Sequence, residues 1–300
     1  MSKKRANALC LIVAAIWGGG FIATDAALDT FDPFTVLMIR FAGAALVCWI
    51  VCFIKKVKIT KDTWKRAIVS GILLYLAFAF QTFGLDLTNT GNNAFLTAVN
   101  VVLVPYISWG LFQKKPLKIQ VMASFICLVG IGCLSFSTGK FSFSFGDLLS
   151  LICAFFFACH IISLEYATKK EDSRAVNAIQ MTIAAILSVP FAWGLESWPQ
   201  YVSSVGWMSC LYMIVIATWL AFQLQTLAQK YTDASSVSVL LCTESLFANV
   251  FGYFILHEEK TSIMILGGLL IFFSVVLVES GDFFKKFVNK DVSILEKELE

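Results

Sequence analysis

The chain is short of charge, of proline and of histidine. Only 14% of its 300 residues are Asp, Glu, Lys or Arg and 58% are hydrophobic, where an average soluble domain carries roughly 25% charged residues. A soluble protein of this length cannot cover so much apolar surface with so few charges. There are two histidines, His160 and His257. A zinc motif HExxH starting at His257 would need a second histidine at 261, where Thr261 stands. No P-loop occurs, which argues against direct ATP drive. The nine cysteines (Cys10, Cys48, Cys52, Cys127, Cys133, Cys153, Cys159, Cys210 and Cys242) lie in apolar stretches and form no CxxC pair. That pattern speaks for packing and gives no support to a disulfide framework or a metal site. A net charge of +3 is no nucleic-acid signal. No cofactor is implied.

What the chain does have is long apolar runs. A hydrocarbon core of ~30 Å needs about 20 apolar residues in a helix. Ten segments meet that requirement: 6–26, 33–54, 65–85, 91–112, 117–136, 146–167, 174–195, 205–229, 234–256 and 261–280. Lys3, Lys4 and Arg5 precede the first run as in a signal peptide. The run to Ala26 is longer than an h-region, so a retained first span is expected. The connections are short: Asp29 to Asp32, Asp86 to Thr90, Gln113 to Pro116. The tail 282–300 sets Phe283, Phe284, Phe287 and Val288 on one face beside lysines. It reads as an amphipathic helix on the cytoplasmic membrane surface or as a solvated tail.

Orientation follows from Lys and Arg. With a cytoplasmic N-terminus, 20 of the 23 basic residues fall at the two termini and the even-numbered connections. Only Lys140 and Lys260 fall on the opposite side, and Arg40 lies inside the second span. The bias predicts a multi-pass plasma-membrane protein (a bacterial inner membrane) with both termini in the cytoplasm.

The sequence also repeats itself. Shifted by 144 residues, Leu76-Ala77-Phe78 with Gln81-Thr82 meets Leu220-Ala221-Phe222 with Gln225-Thr226. The register continues without a gap through Thr88 and Thr232, and Leu96 and Leu240, to Ile119 and Ile263. The first span joins at a slightly different offset, Leu9, Leu11, Ile12 and Ala14 meeting Leu149, Leu151, Ile152 and Ala154. The expected organisation is a first five-helix repeat over 1–139, a second over 140–281, and the tail. Five is odd, so the second half lies upside down relative to the first. Lys114 and Lys115 after the fourth span are matched by Glu258 and Glu259 after the ninth. The fold class is therefore all-α integral membrane, ten transmembrane helices as two inverted five-helix repeats, an architecture used for alternating access.

These features resemble the drug/metabolite transporter superfamily, in particular its EamA-type members. The resemblance rests on Trp17-Gly18, Arg40-Phe41, Pro105 and Leu256-His257-Glu258, and covers residues 6–280. Two departures stand out. The family often has Gly-Glu after the fourth span, where this chain has Gln113-Lys114, and Phe157 takes the second-half tryptophan position. The resemblance implies a transporter of amino acids, other small metabolites, organic cations or nucleotide derivatives.

Polar groups inside a span are costly and are functional candidates by default. Arg40 could attract a substrate carboxylate, or pair with Asp25 or helix-end carbonyls. Glu244 and its repeat partner Asn100 stand where a midplane site would be. Glu244 could bind a substrate amine or carry a coupling proton, or be hydrogen-bonded between helices. His160 suits a proton relay or a neutral interhelical bond. Gln81 and Gln225 are repeat-related and suit helix–helix bonds or a cavity wall. Trp17, Tyr75, Trp109, Trp219 and Tyr253 could line an aromatic cavity, or simply face lipid and neighbouring helices. The expectation is a secondary transporter, as monomer or homodimer, exporting a small organic metabolite such as an amino acid. The alternatives are a channel or a non-transporting scaffold of the same fold. An embedded enzyme finds no acid, base or metal cluster to support it.

Overall fold

Backbone amides in hydrocarbon must bond within their own segment, and the chain meets this with helices. The computed structural model describes residues 1–88, 90–113, 115–135, 144–257 and 261–298. The spans are α1 (Lys3–Leu28), α2 (Pro33–Ile54), α3 (Lys61–Leu87), α4 in two pieces, α5 (Lys118–Ser135), α6 (Phe145–Thr168), α7 (Ser173–Leu195), α8 in three pieces, α9 in two pieces, and α10 (Ser262–Glu298). The pieces are α4a (Thr90–Thr97) and α4b (Asn100–Phe112); Ser204–Tyr212, Met213–Leu220 and Ala221–Gln229 of α8; and α9a (Ala234–Leu241) and α9b (Thr243–Leu256). Among the described residues nine of these spans are long and apolar enough to cross a membrane, and α1, a 26-residue helix, is the tenth. The protein is an all-α, multi-pass membrane protein.

Several helix starts carry side-chain caps. Thr60 Oγ1 accepts from Thr63 N at 3.2 Å, and Ser144 Oγ accepts from Asp147 N at 3.2 Å. Asp172, Ser203 and Asp233 accept from Arg174, Gly206 and Ser236 N–H groups. Each bond satisfies one orphan amide of a first turn.

The two halves share several of their irregularities. Asp32 precedes α2 and Asp172 precedes α7, both in extended conformation and 140 residues apart. At the 144-residue offset, Gln113 (φ 56°) closes α4 and His257 (φ 55°) closes α9, both left-handed. The interruption of α4 after Thr97 matches that of α9 at Cys242, 144 residues beyond Ala98. Packing follows the same rule. Two spans lie against their own counterparts, α2 on α7 and α5 on α10, while α3 on α6 is matched by α8 on α1. The α5–α10 crossing is tight at Gly130 and Gly267, where a Cβ would fall 2.8 and 2.6 Å from the other glycine's carbonyl oxygen.

Asn7 Nδ2 donates to Glu279 Oε1 at 2.6 Å, so the start of α1 and the end of the apolar part of α10 share one end of the molecule, the termini end. Helical backbone continues through the tail to Glu298. The side chains Phe283, Phe284, Phe287 and Val288, on which an amphipathic face depends, lie outside the described residues. So do Lys114, Lys140, Glu258, Glu259, Lys260 and the side chain of Asp25, which bear on the charge pattern and on one partner expected for Arg40.

Candidate functional site

Arg40 is carried inward by α2, whose Leu37, Phe41 and Ala44 share the buried face. A guanidinium there is costly unless it is bonded. Its Nε donates to Thr218 Oγ1 at 3.0 Å. Its Cζ lies over the rings of Phe78 at 4.9 Å and Phe41 at 5.7 Å, in cation–π range.

Thr218 belongs to Met213–Leu220, a stretch of α8 wound as a π-helix in which the Ala221 N–H reaches back to Ile216 O. Trp17 of α1 uses the same stretch, its Nε1 donating to Ala217 O at 2.8 Å. The counterpart of this segment in the first half is regular α-helix. Widened turns of this kind recur at functional sites.

Glu244 stands in the first turn of α9b, just past the interruption at Cys242. The positive end of a helix favours a carboxylate there. It is half-buried and is an electrostatic neighbour of Arg40. No ion pair within 4.0 Å joins the two among the described residues. Gly18 lets α1 close on this turn, since a Cβ there would lie 2.8 Å from Glu244 O and 2.7 Å from Phe247 Cβ.

The aromatic groups around this centre come in repeat-related pairs. Trp17 packs on Phe222 with centroids 5.1 Å apart, and Phe157 packs on Phe78 at 5.3 Å. Tyr75 and Trp219, also repeat-related, join the same apolar cluster, and Tyr75 is 4% exposed. Tyr75 Oη and Trp219 Nε1 are buried donors with no hydrogen-bond partner among the described residues. Orphaned donors at matching positions cost free energy unless something else occupies them.

The remaining candidates separate. His160 leaves the centre and joins a buried chain: its Nε2 is 3.0 Å from Gln180 Oε1, and Gln180 Nε2 donates to Asn177 Oδ1 at 2.8 Å. With the Gln180 amide nitrogen donating onward, its oxygen is the acceptor and the His160 proton is on Nε2. Asn100 is half-buried and donates to Thr97 O at 2.9 Å, bonding the interruption of its own span. Gln225 is 1% exposed with Oε1 unpartnered, whereas Gln81 is half-buried. Trp109 and Tyr253 are exposed on the outer surface. Thr218, Phe78 and Gln180 were not legible as site residues. For Gln180 the available signal was register, since it stands 140 residues after Arg40.

Among the described residues no group of His, Cys, Asp and Glu is arranged to hold a metal ion. Two surface clefts lie elsewhere, one of about 320 Å³ lined by Ala23, Met208 and Tyr212 and one of about 410 Å³ lined by Lys65, Arg66 and Tyr166. Neither includes Arg40 or Glu244.

The model of the EamA-like transporter family matches twice, over residues 4–136 and 144–280. The chain belongs to the EamA-like transporter family. An uncharacterized transporter of Archaeoglobus fulgidus is 33% identical over 268 residues, 89% of this chain and 83% of that protein. The uncharacterized transporter YoaV of Bacillus subtilis is 25% identical over 86% of this chain and 91% of its own. Solute carrier family 35 member F2 of Mus musculus is 23% identical over 61% of this chain and 51% of its own. A solved crystal structure superposes with a TM-score of 0.81 at 17% identity, covering 92% of this chain and 96% of the other, which shows a shared fold. This EamA-like chain gives two of its motifs a physical meaning. In Trp17-Gly18 the indole bonds α8 while the glycine admits α9 at Glu244. In Arg40-Phe41 the guanidinium reaches α8 while the ring packs on Phe78 at 5.4 Å.

Proposed function

We propose that this EamA-like transporter is a secondary transporter that exports a small zwitterionic metabolite, an amino acid being the model case, by alternating access across the plasma membrane. The reading is carried by Arg40 and Glu244, two ionisable groups inside the spans that are electrostatic neighbours with no ion pair within 4.0 Å between them. A carboxylate suits the guanidinium and an ammonium suits the glutamate. Tyr75 Oη and Trp219 Nε1 supply unused donors, and Trp17, Phe78, Phe157 and Phe222 supply apolar walls. Asn100 and His160, bonded to Thr97 O and Gln180, stand outside this proposed site, and Gln81 and Gln225 are left as helix–helix groups. The repeats are taken as 1–139 and 140–281, followed by the tail 282–300. The basic bias at the termini end supports cytoplasmic termini.

The test is counterflow of radiolabelled amino acids and organic cations into liposomes holding the purified protein, with Glu244→Gln alongside. Saturable exchange of a zwitterion is expected. Removing one member of a buried charge constellation costs about 2–5 kcal/mol, so Glu244→Gln is expected to lower that exchange tenfold or more. Exchange of zwitterions that is indifferent to Glu244→Gln removes Glu244 from the site. Exchange confined to cations rejects the zwitterion.

A further inference from the structure

The interrupted spans are repeat-related, but their surroundings are not equivalent. At the termini end α9a packs on α1 and α10, and in addition on α4b, α5 and α6. Inverted symmetry would place α4a against α6 and α5, and in addition against α9b, α10 and α1. The first set is present, with α4a packed on α6 and α5. Of the second set, the described residues show only Phe95 of α4a in one apolar cluster with Leu246 of α9b and Met264 and Ile271 of α10, without close helix–helix packing. Among the described residues the termini end is therefore packed more closely than the far end.

The termini end has an apolar seal and a polar fastening. Val104 of α4b, Val237 and Leu240 of α9a, Cys10 and Val13 of α1, and Ile161 of α6 are buried in one cluster. Above it, Glu165 at the end of α6 accepts from the Ala234 N–H, the first amide of α9a, at 2.7 Å. Its other oxygen pairs with Lys169. Gln120 of α5 donates from Nε2 to Asp233 Oδ1 at 2.8 Å and lies 3.4 Å from Ser236 Oγ. Lys3 of α1 pairs with Asp233 Oδ2 at 3.1 Å. Sorted by symmetry, these bonds divide. Lys3–Asp233 joins α1 to α9a, a pair whose counterpart (α6 with α4a) is packed at the far end. Glu165–Ala234 and Gln120–Asp233 join pairs whose counterparts are not.

We propose that Glu165 and Gln120 are the latch of the termini-side gate, holding the N-terminus of α9 against α6 and α5. Their release, with docking of α4a on α1, α9b and α10 at the far end, turns the site from one side to the other. Lys3–Asp233 rides with α9a and persists in both states. The sequence supplies a register counterpart, Asp25 standing on α1 where Glu165 stands on α6, 140 residues later. This inference rests on the alternating-access reading above.

The test is hydrogen–deuterium exchange of the full chain in lipid nanodiscs, for wild type, Glu165→Ala, Glu165→Gln and Lys3→Ala. A bond to a charged acceptor is worth roughly tenfold in an equilibrium. Glu165→Ala should therefore speed exchange over 234–241 about tenfold and slow it over 92–97 as the far end closes. Glu165→Gln retains an acceptor and should show a smaller form of both changes. Lys3→Ala should leave 92–97 as in wild type. Faster exchange over 234–241 with 92–97 unchanged or also faster would overturn the latch, because it would report local fraying alone. Exchange needs no substrate, so counterflow on the same preparations separates failure of the latch from failure of the transporter reading.

Discussion

Arg40 keeps its charge inside a span by spending one N–H on Thr218 and setting its guanidinium face over two rings. In the proposed site the remaining N–H groups of the guanidinium meet the substrate carboxylate. Arg40→Lys keeps the charge and loses the planar fork, so substrate affinity is expected to fall about tenfold with folding retained. Thermal stabilisation of the purified protein by added substrate measures this. Asp233 illustrates a group outside the spans. Burial pushes its carboxyl up, but the Lys3 charge and the bonds from Ser236 outweigh this and hold it below the ordinary aspartate value. A depressed carboxyl stabilises the fold fully above its unfolded value of about 4 and loses that contribution as pH falls through the folded value. The melting temperature of Asp233→Asn should accordingly lie below that of wild type at pH 7. The gap should close as pH drops below about 4. Gln113 and His257 sit in the left-handed region, which costs a non-glycine residue roughly 1 kcal/mol. Gln113→Gly should therefore raise the melting temperature, and glycine is the residue the family often has at that position.

Between elements, the α5–α10 crossing is the contact most sensitive to volume. Gly267→Ala puts a methyl group 2.6 Å from Gly130 O. Overpacking of this kind costs about 1–3 kcal/mol, so denaturation of that variant in detergent should come earlier than that of Gly110→Ala, whose added Cβ meets nothing. The spans themselves were legible, because each is a run of apolar residues at bilayer length. Their internal irregularities were not. α4 contains Pro105, yet its interruption falls seven residues earlier, at Ala98 and Val99. The π-helical stretch Met213–Leu220 is uniformly apolar, and periodicity carries no information where every face is apolar. The π-helical stretch is bonded by partners from the other half. Trp17 and Arg40 hold the widened turns of α8, and neither lies within 170 residues of it in sequence.

For the molecule as a whole, the repeat visible in the sequence is also the repeat of the structure, in its interruptions and left-handed ends. The facing direction of the polar residues was the hidden part. Arg40 stacks on Phe41 and Phe78, in the apolar cluster that also holds Trp17, Tyr75 and Trp219, while His160 joins the chain to Gln180 and Asn177 and Asn100 turns back on Thr97. Nothing in a nearly all-apolar span distinguishes these outcomes in advance, because the partner lies on another helix. Recognition of a zwitterion by Arg40 and Glu244 can be tested with substrate analogues that each lack one charge. The measurement is thermal stabilisation of wild type, Arg40→Gln and Glu244→Gln by an amino acid, its methyl ester and its N-acetyl form. Wild type should prefer the zwitterion. Arg40→Gln should lose discrimination against the ester, and Glu244→Gln should lose discrimination against the N-acetyl form. Equal losses for all three ligands in both variants would contradict the assignment of one charge to each residue.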